Sequence, residues 1–386
     1  MVKLMRKRFL TNYFYFRFLK VALTKLKFCK SLFLWAICLF AACNDPVFYT
    51  VSQEVEPVDP RIDGSPSNFA IFKNEVMYVA SGSRLFKYEE SNNEYKWSRE
   101  RSPGGKILQI AATEKYLYAL CYEDSDTRTR TFLRRFDAEN AKWETLGGNM
   151  MYIYAAKDTV FIGDESSNSY TIFYAKDETE EPSEAIKNLN LTGEITGAAF
   201  DGTNYYLCTT NGIYWTADPS AGAESIDTSS DFKGMISLGN GSIAAITRGG
   251  NLHIITGTDD SGSVANLGDR LATGALAVWE DKDDPSRRLL LAGRQDRLVY
   301  SIDSGYTYGY LELELGDSET ASSFREPGSR QPSSVDDNER YISTIGKHPV
   351  NHICQAPDGI LFASTQKNGV WSYRSRSGVP QWNAEE

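Results

Sequence analysis

Few side chains in this sequence offer chemistry of their own. Its three histidines are His253, His348 and His352, and none belongs to an H-E-x-x-H zinc motif. His253 falls in the middle of an apolar run and His352 on a run read as an innermost strand, so each reads as a hydrogen-bonded structural imidazole before a metal ligand. Cys121, Cys208 and Cys354 sit on three separate apolar runs without C-x-x-C spacing. They read as small fillers of a sheet interior, and zinc and dithiol redox motifs are excluded. Asp259-Asp260 and Asp281-Lys282-Asp283-Asp284 carry oxygen ligands suited to calcium, but neither matches an EF-hand loop, and solvated turns account for both. No Gly-x-Ser-x-Gly elbow and no phosphate-binding loop is present. The expectation is a chain without catalytic residues, metal or cofactor. What remains is a set of cationic and amide groups at turns: Arg248, Arg294, Gln295, Gln366 and Lys367. On an acidic body such groups focus an anionic partner, and they are the candidate partner-binding residues. Ordinary turn solvation explains any one of them taken alone.

The elements that must hold these turns repeat. Apolar first strands open near Phe69, Leu108, Met151, Ile195, Ile236, Ala275 and Val350, at steps of about 40 residues until a longer last one. Each unit runs as an apolar strand, a polar turn, a second apolar strand, a turn and a third strand carrying an aromatic. In the first unit these are 69–72, 76–79 and 85–88, closing near Trp97; in the last they are 353–354, 360–362 and 369–373. Lys73-Asn74 and Asp358-Gly359 are residue pairs that tolerate tight hairpins, so the sheets are antiparallel. No helical periodicity extends over a dozen residues after the leader. The fold class predicted is all-β, a β-propeller of about seven four-stranded blades over 67–386, interrupted by a Ser-, Pro- and charge-rich insertion at about 317–344. If the insertion joins blades six and seven on the ligand-binding face, it reads as a lid or as a plain surface loop.

The N-terminus carries an address. Residues 1–30 hold nine Lys or Arg and no acid, and an apolar run follows to Ala42. Only about a dozen residues are uniformly apolar, against the roughly 20 a membrane span requires, so 1–42 reads as a signal peptide. Its end, Leu39-Phe40-Ala41-Ala42-Cys43, resembles the lipobox of bacterial lipoproteins in the relaxed form found in spirochaetes, with Phe40 where the strict pattern prefers Leu. The resemblance implies cleavage before Cys43 and acylation of its thiol, with the product held by lipid in the bacterial cell envelope, on a periplasmic or outer-surface face. Residues 43–66, rich in proline and acids, then form a tether, in which Val47–Val51 reads as a possible ring-closing strand. Without the leader, 32 basic residues face 51 acids, a balance of −19 that repels nucleic acid.

Ser301-Ile302-Asp303-Ser304-Gly305-Tyr306-Thr307-Tyr308 follows the apolar run 297–300 and resembles the Asp-box of sialidase-like and photosystem-assembly propellers, with Tyr308 in place of the usual Trp. In that family Ser301, Asp303, Gly305, Thr307 and Tyr308 would reinforce a hairpin and take no part in chemistry. Thr216-Ala217-Asp218 is a weaker echo. The resemblance raises a surface glycan hydrolase or lyase as an alternative. Pro60-Arg61-Ile62-Asp63 lacks both ends of the F-R-I-P motif, Arg84, Arg248 and Arg294 are spread over separate units, and no carboxylate pair stands out. The leading expectation is a membrane-anchored, non-catalytic scaffold for a protein or glycan partner.

Overall fold

The computed structural model describes residues 62–385 except 74, 126–127, 138–140, 167–168, 178–186, 228–230, 240, 268–270, 281–287, 296–309, 316–349, 367–368 and 377–378. Cys43, the Val47–Val51 stretch, the Asp-box at Ser301–Tyr308, the insertion at 317–344, His348 and Lys367 all lie outside the described residues, as do the side chains of Arg294 and Gln295.

Seven antiparallel sheets follow one another along the chain, six with four strands and one with three described strands. They occupy 70–100, 106–148, 150–192, 195–227, 232–266, 271–315 and 350–384, and are called blades 1 to 7 here. In each four-stranded blade but the third, sequence order is also spatial order, and the third is the same order read from its other edge. The chain is therefore a β-propeller, as its repeats predict. Blade 6 departs from the plan of short connections. Its second strand, Arg288–Gln295, pairs directly with Tyr310–Leu315, so Tyr310–Leu315 is the third strand and the whole of 296–309 falls between the second and third.

The second strands explain why short, unbroken apolar runs recur. A strand buried on both faces sends alternate residues to opposite sides. In blade 2, Leu117, Ala119 and Cys121 pack against blade 1, while Tyr118 and Leu120 pack against blade 3. In blade 4, Tyr205 and Leu207 face blade 3, and Tyr206 and Cys208 face blade 5. Cys121 and Cys208 are thus free, buried fillers, and burial pushes both thiols up to about 12.

Side chains on inner strands also tie neighbouring blades through the backbone. Asn68 Oδ1 accepts from the Ile110 N–H at 2.9 Å, Gln109 Oε1 from the Ile153 N–H at 3.0 Å, and the Thr196 and Thr273 hydroxyls donate to the carbonyls of Phe232 and Val350 at 3.0 and 2.6 Å. Each fills a backbone position that the free inner edge of a blade would leave without a protein partner.

The ring is closed where blade 7 meets blade 1. Phe362 of blade 7 stacks edge-on against Tyr88 and Trp97 of blade 1, at centroid separations of 4.9 and 5.4 Å. The Tyr88 hydroxyl donates to Asp358 at 2.6 Å, and Trp97 Nε1 donates to the buried carboxylate of Glu385 at 2.9 Å. Ahead of the first strand, Ile62–Ser67 lies across this seam. The Gly64 and Ile62 carbonyls accept from Gly369 and Val370 of blade 7 at 2.9 and 3.1 Å, and Ser67 N–H donates to Ala80 of blade 1 at 2.7 Å. The strap thus bridges the joint; Val47–Val51, read as a possible ring-closing strand, lies outside the described residues.

Candidate functional site

The turns between second and third strands share one side of the disc, and so do the starts of the inner strands, because adjacent strands are antiparallel. Arg248 sits in such a turn in blade 5. Its carbonyl accepts from Ala272 N–H, the first-strand residue of blade 6 that pairs across from Arg294. The backbone thereby places Arg248 and Arg294 at adjoining positions of neighbouring blades. Gln295, opposite Leu271 at the end of the same strand, extends the group. Arg248 is also engaged: its Nε lies 2.8 Å from Asp231, with 59% of the arginine side chain exposed. An anionic partner at this point must compete with Asp231. Gln366 stands apart, exposed on blade 7, where its carbonyl accepts from the Ser65 hydroxyl of the strap. Arg84 is exposed in the corresponding turn of blade 1. The arginines are spread around the rim of one face.

The structure adds two residues that the sequence reading took for strand openings. In blade 2 the inner strand Lys106–Ala112 pairs Ile107 with Cys121 and Gln109 with Leu120, stepping over Leu108. In blade 3 the pairing steps over Met151, with Met150 opposite Asp164 and Tyr152 opposite Gly163. A bulge removes a residue from the two-face alternation. Leu108 and Met151 are accordingly 41% and 38% exposed, two of the three exposed large hydrophobic residues among those described. They occupy equivalent positions on adjacent inner strands, on the face that carries Arg248. At the matching bulge of blade 4 stands Thr196, whose hydroxyl is committed to Phe232.

The same innermost layer holds partly exposed residues in a poorly hydrated setting. Burial lowers the His352 imidazole to about 4 and pushes the Cys354 thiol up to about 12. His348 and His352 stand four residues apart, a spacing that gathers two ligands on a helix, but His352 lies in the strand Val350–Gln355. Between blades 2 and 3, the Asp177 carboxylate accepts from the Thr113 hydroxyl at 2.6 Å and the Lys115 N–H at 2.9 Å, and burial raises it to about 6. Asp218, in the weak Asp-box echo, accepts from the Ser220 N–H of its own turn at 3.0 Å and pairs with Lys176 of blade 3 at 2.7 Å. The Lys176 ammonium and the Ser220 donors hold its carboxyl well below the usual carboxylate range.

No protein-family model and no curated protein sequence matches the chain. Solved structures do. The extracellular domain of a putative hybrid two-component system from B. thetaiotaomicron superposes with a TM-score of 0.51 at 13% identity, over 82% of this chain and 38% of that one. The WD40 β-propeller domain of Doa1 gives 0.50 at 9% identity over 82% and 94%, and YCF48 from Cyanidioschyzon merolae 0.50 at 11% over 81% and 96%. At these identities the likeness is one of fold.

Proposed function

We propose that this protein is a lipid-tethered binding scaffold of the bacterial cell envelope, which holds a protein partner on the face bearing the turns between second and third strands. The observation that carries the reading is the exposure of Leu108 and Met151. Bulges on two adjacent blades place large apolar side chains in water, on the same face as Arg248, and exposed apolar surface beside polar groups is what docking surfaces offer. The partner presents apolar side chains to Leu108 and Met151 and an acidic group to the arginine rim. A glycan would use the polar rim and leave the apolar pair unexplained. Nucleic acid is disfavoured by the −19 balance beyond the leader. Neighbours of the same fold include a WD40 domain and an extracellular domain, settings that suit such a role. Tethering rests on the Cys43 lipobox.

The experiment places a photo-crosslinking residue at 151 in the full chain, in the cells that make it, with a second at exposed Lys142 on the outer strand of blade 2 as control. A discrete adduct from position 151, lost in Leu108→Asp and weakened in Arg248→Glu, is the expected result. Equal crosslinking from both positions, or no effect of either substitution, overturns the docking face. Labelled palmitate entering the wild type and absent from Cys43→Ala tests the tether separately.

A further inference from the structure

Blades 4 and 5 meet at their periphery around Asp227, His253 and Asp260. Asp227 is the last residue of the outer strand Glu224–Asp227 of blade 4, His253 lies in the third strand of blade 5, Asn251–Thr256, and Asp260 near the start of its outer strand, Asp259–Asn266. One ligand atom from each, a ring nitrogen and two carboxylate oxygens, lies within 4.8 Å of the others. His253 Nδ1 stands 3.0 and 3.2 Å from the two oxygens of Asp260. This is not the solvated Asp-Asp turn that the sequence suggests: the Asp260 side chain is 17% exposed and that of His253 11%.

We infer that these three residues form a divalent transition-metal site that clips blade 4 to blade 5. Metal–ligand bonds of about 2.1 Å put neighbouring donors about 3.0 to 3.4 Å apart, which is the separation already found between His253 and Asp260. The Asp227 oxygen, within 4.8 Å of the other two donors, needs to close by at most about 1.4 to 1.8 Å. A divalent ion bound by all three would balance both carboxylates. The imidazole directs the choice of ion towards zinc and other late first-row metals, and away from calcium and magnesium, which take oxygen ligands.

The backbone is irregular where the donors converge. In blade 4 the pairing of third and outer strands steps over Ile226, next to Asp227. In blade 5 it breaks on both sides of His253, with Leu252 opposite Ala265, His253 opposite Ser263 and Ile255 opposite Asp260. Bulges of this kind turn a side chain out of its regular direction, and here they occur on both strands that supply the carboxylates. The edge of the His253 ring rests on Phe232, centroids 5.2 Å apart, which fixes the imidazole plane. The inference is independent of the docking face, since these residues lie on outer and third strands.

The test uses untagged full-length protein in detergent, stripped with chelator and titrated with zinc chloride by calorimetry. Saturation at one equivalent, with a melting temperature that rises with zinc concentration, is the expected result. Asp227→Asn and His253→Gln, one in each blade, should each weaken binding at least tenfold. Cobalt(II) should give a d–d spectrum that both substitutions abolish. No saturable binding by the wild type, or undiminished binding by Asp227→Asn, overturns the proposal. So does a preference for calcium over zinc. Asp227→Asn is a near-isosteric change on a blade edge, so a folding failure of His253→Gln would leave the decisive arm intact.

Discussion

Two seams of the ring solve the same packing problem with opposite materials. Where blade 7 meets blade 1, Tyr88, Trp97 and Phe362 form a stack of large rings, with the Trp97 and Tyr88 polar tips satisfied by Glu385 and Asp358 across the joint. Where blade 5 meets blade 6, the inner strands touch through glycines. A Cβ on Gly234 would stand 2.2 Å from the Gly274 carbonyl oxygen, and one on Gly274 would stand 2.4 Å from that of Lys233. Gly274 also has φ +91°, a conformation that other residues adopt only with strain. The 5–6 seam joins blades that are consecutive in the chain, so connectivity keeps them neighbours while backbones meet closely. The 7–1 seam joins blades distant in sequence, and its side chains must offset the loop-closure entropy themselves.

The closing seam should be the more costly of the two to disrupt. Trp97→Ala removes a ring that is 6% exposed and leaves the Glu385 carboxylate without its indole donor, a loss of about 3–5 kcal/mol. Chemical denaturation should show it as the largest single change. At the glycine seam the sign of the volume change reverses. Gly234→Ala adds one methyl and should cost about 1–3 kcal/mol through displaced backbone, whereas the same exchange at Gly249, where a Cβ would meet only Thr247 Oγ1 at 3.9 Å, lacks the clash. If Gly234→Ala is as mild as a surface change, the seams do not differ in the way described.

The smallest effects depend on pH. His352, on the inner strand of blade 7, has its imidazole lowered from 6.5 to about 4. The neutral ring's contribution is therefore present above 6.5 and lost as pH falls towards 4. Asp177, at the seam of blades 2 and 3, is raised from 3.8 to about 6, so its contribution is full below 3.8 and lost as pH rises through 6. The two oppose each other between pH 4 and 6. In melting scans over pH 4–7, His352→Gln should gain stability relative to wild type towards acid, and Asp177→Asn towards neutrality, each by a few degrees. Parallel curves for either variant would remove the corresponding assignment.

The ring was legible because second strands buried on both faces leave unbroken runs such as Leu117–Cys121 and Tyr205–Thr209, and a chain with seven of these, spaced by about 40 residues until the longer last step, has few other ways to bury them. Lys73-Asn74 and Asp358-Gly359 marked their hairpins correctly, Lys73 and Gly359 both having positive φ. The third strand of blade 6 was not legible, because 297–300 and Leu311–Leu315 are both rich in apolar residues and composition does not say which one pairs. The inner bulges were illegible for a related reason. Leu108 and Met151 look like core residues, and only the register of the partner strand reveals that pairing steps over them. Clustering of Asp227 with His253 and Asp260 depends on a contact between blades, which no local pattern records. Arg248 was found by its turn, but its ion pair with Asp231 comes from the connection between blades.

The strap at Ile62–Ser67 is hydrogen-bonded to the last blade through Ile62 and Gly64 and to the first through Ser67. A pull on the chain ahead of Ile62 is therefore shared by both sides of the joint. Tension there loads both sets of bonds instead of peeling one terminal blade away, so a force applied at this end does not unzip the joint between blades 7 and 1.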